Sequence, residues 1–189
     1  MKKGLIAVIV VVALALILVV SGVSTYNGFV DKEETVNDAR SQVEVQLERR
    51  ADLIPNFVES VKGYTNYEKE TLTAVTEARA AVGKAKTVSE TQQANEQLDK
   101  AIDVWVNAVT ESYPELKADK QYIALQDELA GSENRIAVAR KDYNSVAKEY
   151  NTSIRRFPAS IFAGMFGFDK ADYFEARSGA ENVPTVSFD

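Results

Sequence analysis

The chain has no cysteine and no histidine among its 189 residues. Without cysteine there is no disulfide, no thiolate metal site, no iron–sulfur cluster and no residue to acylate as a lipoprotein. Without histidine it lacks the commonest general acid–base and the commonest transition-metal ligand. Ser–His–Asp and Cys–His nucleophiles are therefore excluded. The di-metal carboxylate site of many four-helix bundles, which needs Glu-x-x-His on two helices, is excluded as well. A surplus of positive charge is also missing. With 22 Lys and Arg against 28 Asp and Glu the net charge is −6, whereas nucleic-acid binding wants a basic stripe. No cofactor, metal or nucleic-acid partner is expected, and the composition points away from an enzyme. An enzyme working through carboxylates and tyrosines is the weaker option that stays open.

What is present is a run of twenty residues without a charge, GLIAVIVVVALALILVVSGV, from Gly4 to Val23, preceded by Lys2 and Lys3. An apolar helix of about 20 residues covers the roughly 30 Å hydrocarbon core of a bilayer. Residues 4–23 thus read as a single transmembrane anchor behind a basic flank of residues 1–3. A cleaved signal peptide is the alternative, with Val20-Ser21-Gly22 as its cleavage region. The apolar run exceeds the usual length of a signal core, about 7–15 residues, which favours a retained anchor. Lys2 and Lys3 against a mixed second flank (Lys32 and Arg40 among Asp31, Glu33, Glu34 and Asp38) favour a cytoplasmic N-terminus,. The rest would then lie on the outer or periplasmic side. A cytoplasmic bundle is the alternative.

Glycine and proline are scarce between residues 29 and 157, and apolar residues recur at helical spacing there. About 165 residues after the anchor suffice for one domain with its own core. Tyr122, Leu125, Leu129, Ser132, Ile136, Ala139, Tyr143, Val146, Tyr150 and Ser153 step by three and four, predicting a helix from Ala118 to about Arg156 between Pro114 and Pro158,. Asn95, Leu98, Ile102, Trp105 and Val109 predict another, with Ser89 and Gln92 as its capping box; Trp105 reads as core. A third is predicted from Leu53 to about Lys84 through Phe57, Val61, Tyr64, Leu72, Val75 and Ala78. Phe29 to Arg50, with Val36, Val43 and Leu47, continues the anchor. At Pro55 two readings meet. A tight turn near Ala51 with Asp52 as cap closes a four-helix antiparallel bundle; a kinked but continuous helix would keep Ile54, Phe57 and Val61 in phase. The turn is the expectation. The fold class is thus all-α: a transmembrane helix, an antiparallel bundle of long helices over 26–157, and a tail over 158–189.

VEVQLERRADLIPNFVESVKGYTNYEKETLTAVTEARA, Val43 to Ala80, and YPELKADKQYIALQDELAGSENRIAVARKDYNSVAKEYNTSIRRFP, Tyr113 to Pro158, resemble the LemA family of membrane-anchored bacterial proteins. With the anchor and GFDKADYFEA in the tail, the resemblance covers nearly the whole chain. It implies a helical bundle behind one N-terminal anchor and implies no reaction.

Two groups of residues stand out. Arg49, Arg50, Asp52 and Asn56, with Glu133, Asn134, Arg140 and Asn144 on the last long helix, form a candidate polar cluster. Arg50 falls on the apolar seam, where a guanidinium needs a carboxylate; Arg50 with Glu133, or Arg140 with Asp52, is the expected pairing. Such pairs set helix register or serve recognition. Arg155, Arg156, Phe157, Ile161, Phe162, Met165, Phe166 and Phe168 form a candidate membrane interface, with arginines at head-group level and phenylalanines in the boundary. The same segment could instead cap the end of the bundle. From Asp169 onward a loosely ordered end is expected, in which VPTVSF adds a strand or stays unpaired. Two functions lead, ahead of the weaker enzyme option: a scaffold binding an envelope or membrane protein, or further copies of itself, or a protein that senses or reshapes lipid through its aromatic tail.

Overall fold

The structure, a computed structural model, describes residues 2–62 and 69–175, with side chains over 4–61 and 72–175. The described residues are all-α, with helices α1 (Lys2–Lys62), α2 (Lys69–Val82), α3 (Val88–Ser112), α4 (Lys120–Arg155) and α5 (Ala159–Phe166), and a 3₁₀ turn at Pro114–Ala118. They form a helical bundle. The chain divides into two compact units: residues 1–40 with 142–171, and residues 41–141 with 172–189.

The expected turn near Ala51 does not occur. α1 runs through Pro55, so residues 53–62 belong to the helix that begins with the apolar run and not to a third helix reaching Lys84. Tyr64, placed in that helix by its spacing, lies outside the described residues. The apolar phase wins here, because Val43, Leu47, Ile54, Phe57 and Val61 are all buried and a turn would have broken their alignment. Pro55 has no N–H for the carbonyl four residues back. That carbonyl, Ala51 O, instead accepts from Arg79 Nε at 2.9 Å. Arg79 Nη2 also meets Asp52 Oδ1 at 3.3 Å. Asp52 is therefore a partner for α2 and not a helix cap. Arg79→Met is expected to cost about 1 kcal/mol, the low end for orphaning a backbone acceptor at a partly open site. Adding Pro55→Ala, which returns the N–H, should recover that loss. Chemical denaturation of the four members of the cycle checks this.

In the second unit the core gathers Ile54, Phe57, Val61, Val75, Leu98, Ile102, Trp105, Val109, Leu116 and Tyr122. Phe57 sits edge-on to Trp105 at 5.2 Å between ring centroids and beside Tyr122 at 5.2 Å. The α3 stripe predicted from Asn95 to Val109 is buried at every position. Its cap lies two residues earlier than expected. Thr87 Oγ1 accepts from Glu90 N at 3.1 Å, and Glu90 Oε2 accepts from Thr87 N at 3.1 Å. Thr87-x-x-Glu90 carries an ionised N3 residue where Ser89-x-x-Gln92 has a neutral one, and the negative charge also suits a helix N-terminus. The backbone N–H groups of Lys86 and Thr87 hold the Glu90 carboxyl below its ordinary range.

In the first unit Phe29, Val36, Tyr143, Ala147, Tyr150, Ile154 and Ala163 are buried. Here α4 turns slightly from the predicted stripe. Ala147 and Ile154 are buried where Val146 and Ser153 were expected, because the face one residue on buries isoleucine in place of serine. The first α1 residues form one apolar segment long enough to cross a membrane, exposed along most of its length.

Candidate interaction sites

Arg50 is 6% exposed on the α1 seam. Its Nη1 donates to Glu133 Oε2 at 2.7 Å, pairs with Asp99 Oδ1 and lies 3.4 Å from Asn95 Oδ1. Asn95, fully buried, reaches Asp99 Oδ2 at 3.3 Å through its amide nitrogen. Helices α1, α3 and α4 thus meet around one guanidinium. The structure brings Arg50 and Glu133 together as the seam argument required. It does not pair Arg140 with Asp52, because Asp52 faces Arg79 and Arg140 lies over the ring of Phe174 at 5.2 Å. Arg49 reaches Glu128 at 3.5 Å, which also takes Arg135 at 2.7 Å. Asn56 and Asn134 are exposed, and Asn144 belongs to the first unit, half-buried. Among the described residues no group of three or more carboxylates is gathered to hold a metal ion.

Asn95, Asp99, Arg79, Glu128 and Arg135 were missed from sequence. One signal was available: Asn95 is a polar residue on an otherwise apolar α3 stripe, with Asp99 one turn on. Arg79 carried no such mark, since its role depends on a proline 24 positions earlier.

On the second unit a cleft of about 510 Å³ is lined by Glu44, Glu48 and Asp52 on one face of α1, by Thr76 and Arg79 on α2, and by apolar Leu47, Ala51 and Val82. On the first unit a groove of about 530 Å³ carries Lys32, Lys148 and Arg156 with the hydroxyls of Ser145, Thr152 and Ser153 and the carboxylate of Glu149.

The tail is more ordered than expected up to Glu175. In the first unit Asn151 grips Ala171, donating to its O and accepting from its N, both at 2.8 Å. In the second, Phe174 is buried under Arg140, and Glu175 N donates to Gln92 Oε1 at 2.9 Å. VPTVSF lies outside the described residues. Side-chain carboxamides replace the strand partner that a free backbone segment lacks. Burial, joined by the charges of Glu33 and Asp169, pushes the Tyr150 hydroxyl up to about 12 from 10.0. The folded state thus holds this proton more tightly than the unfolded chain. Its contribution is complete below pH 10.0 and should fade as pH rises towards about 12,. A Tyr150→Phe variant should lose that alkaline step in a thermal-melt series.

The Phe-rich segment folds as α5 in the first unit. Phe162 packs on Gly22, where a Cβ would come within 3.1 Å of its ring. Phe166 meets Tyr26 edge-on at 5.1 Å, and Phe168 meets Tyr26 at 5.5 Å and Phe29 at 5.2 Å. Phe157, Ile161 and Met165 are exposed, as are Arg155 and Arg156.

Residues 39–188 match the LemA family. The chain is 27% identical over 187 residues to magnetosome protein MamQ 2 of Paramagnetospirillum magneticum, covering 86% of this chain and 68% of that protein. It is 27% identical over 152 residues to protein LemA of Metamycoplasma hominis, covering 79% and 68%. Magnetosome protein MamQ of Magnetospirillum gryphiswaldense is 25% identical over 187 residues, covering 86% and 68%. With an apolar N-terminal span, a helical bundle and a family match over most of its length, the chain belongs to the LemA family.

Proposed function

We propose that the protein is a non-catalytic scaffold, anchored by one N-terminal span in a bacterial cell membrane, that binds other proteins or further copies of itself. The supporting observation is the cleft of the second unit. Glu44, Glu48 and Asp52 repeat every fourth residue along one edge, and Leu47, Ala51 and Val82 supply an apolar floor. Arg79 on the facing helix is matched by Asp52, and an apolar floor with Glu44 and Glu48 along one edge accepts a basic amphipathic segment. Val45, Val104, Ile123 and Val138 add exposed apolar side chains on the same unit. Lys2 and Lys3 support a cytoplasmic N-terminus with the bundle outside. The MamQ relatives are named for a bacterial structure and not for a reaction, which accords with a scaffold. The test is a photo-crosslinking residue at Thr76, inside the cleft, with Lys141 as the exposed control. Discrete adducts from Thr76 that disappear with Glu44→Lys and Glu48→Lys support the reading. Adducts no different from those at Lys141 overturn it.

A second reading, that the protein senses or reshapes lipid, is favoured by the exposed apolar side chains of α5.

A further inference from the structure

α5 is eight residues, ASIFAGMF, without a charge. Such a segment would ordinarily bury all of its apolar surface, and this one buries only part. Its inner side is fixed by Phe162 on Gly22, by Phe166 on Tyr26 and by buried Ala163. On its outer side Ile161 is 55% exposed and Met165, one turn later, 71% exposed. Phe157, just before the helix, is 83% exposed. These side chains have no cover among the described residues.

The place of α5 identifies the cover. Gly22 belongs to the last turn of the apolar run of residues 4–23, whose own side chains face outward as a lipid-facing surface must. A helix packed on Gly22 and Tyr26 therefore lies where the chain leaves the hydrocarbon. At about 12 Å it is far too short to cross the bilayer. Charges bracket it: exposed Arg155 and Arg156 before it, and exposed Asp169 and Lys170 after it. Gly167, at φ 76°, ends the helix in the left-handed region, which admits glycine without strain,. Charged residues on either side of a short apolar helix can stay at the level of the head groups while its apolar side chains enter the boundary.

We propose that α5 is a second membrane contact. It lies in the plane of the bilayer beside the exit of α1, with Ile161, Met165 and Phe157 immersed at the boundary between head groups and acyl chains. This does not depend on what the second unit binds.

The absence of cysteine makes the test direct. Single cysteines at Ile161, Met165 and, as a control, Val138 carry an environment-sensitive fluorophore in the full chain. Each protein is reconstituted in phosphatidylcholine–phosphatidylglycerol vesicles with and without a nitroxide quencher high on the acyl chain. Circular dichroism confirms that the helices are unchanged. For a helix immersed in the interface, labels at 161 and 165 should lose on the order of half their intensity to the lipid-borne quencher, while Val138 stays unquenched. Quenching at 161 and 165 no greater than at Val138 overturns the proposal. So does a blue-shifted label that the lipid quencher leaves untouched while Met165→Cys cross-links to a second copy.

Discussion

Replacing Arg50 with methionine is expected to remove about 3 kcal/mol from the stability of the second unit, the lower end of the range for breaking a buried ion pair. The loss comes from what remains. Asp99 is 13% and Glu133 28% exposed in their side chains, and both face the same guanidinium nitrogen. With Arg50 gone, two carboxylates face each other beside fully buried Asn95. Water reaches Glu133 in part, which keeps the figure at the low end. Removing the acids together with the base tests the mechanism. Arg50→Met with Asp99→Asn and Glu133→Gln should regain most of the loss, because no uncompensated charge is left. Denaturation of the full chain in detergent, followed by the single tryptophan, separates the variants. If the single and triple variants are equally unstable, packing and not charge accounts for the effect.

Phe57→Ala should be of similar size, about 3–5 kcal/mol, for a different reason. Phe57 is 2% exposed and joins α1 to Trp105 on α3 and Tyr122 on α4. Truncation opens a cavity beside both rings and forfeits the edge contact with Trp105 and the tilted contact with Tyr122,. Since Trp105 is the only tryptophan, its emission should shift to the red as water gains access. Phe57→Leu fills most of the volume and should cost less than about 1.5 kcal/mol. Val104→Ala next to Trp105 but 59% exposed should stay within about 0.5 kcal/mol. A Phe57→Ala protein with an unshifted emission maximum would mean that the core refills the gap.

The apolar segment of membrane length, the all-α class and the α3 stripe were legible in the sequence because each rests on local repetition. An uncharged run of membrane length and a three–four spacing carry their meaning without knowledge of any neighbour. Arg50 was legible for the same reason, since a charge on an apolar seam demands a partner. The choice between its carboxylates was not. Glu133 was within reach of a guess, but Asp99 sits 49 positions away and looks like any acid on a helix face.

Pro55 shows the limit most plainly. Its sequence context allowed a turn or a continuous helix, and local rules preferred the turn. The outcome depended on whether something could occupy the carbonyl of Ala51 that the proline orphaned. Arg79, from another helix, does so. The tail followed the same logic, since Asn151 and Arg140 hold residues that composition alone leaves loose. The sequence by itself determined that the chain is helical, which residues form the apolar stripe of α3 and that one segment suits a membrane. Only the tertiary structure decided which buried charge meets which, where α1 continues and what α5 packs against. Helix periodicity is a property of neighbours in the chain, whereas satisfying a buried polar group depends on residues brought near by folding.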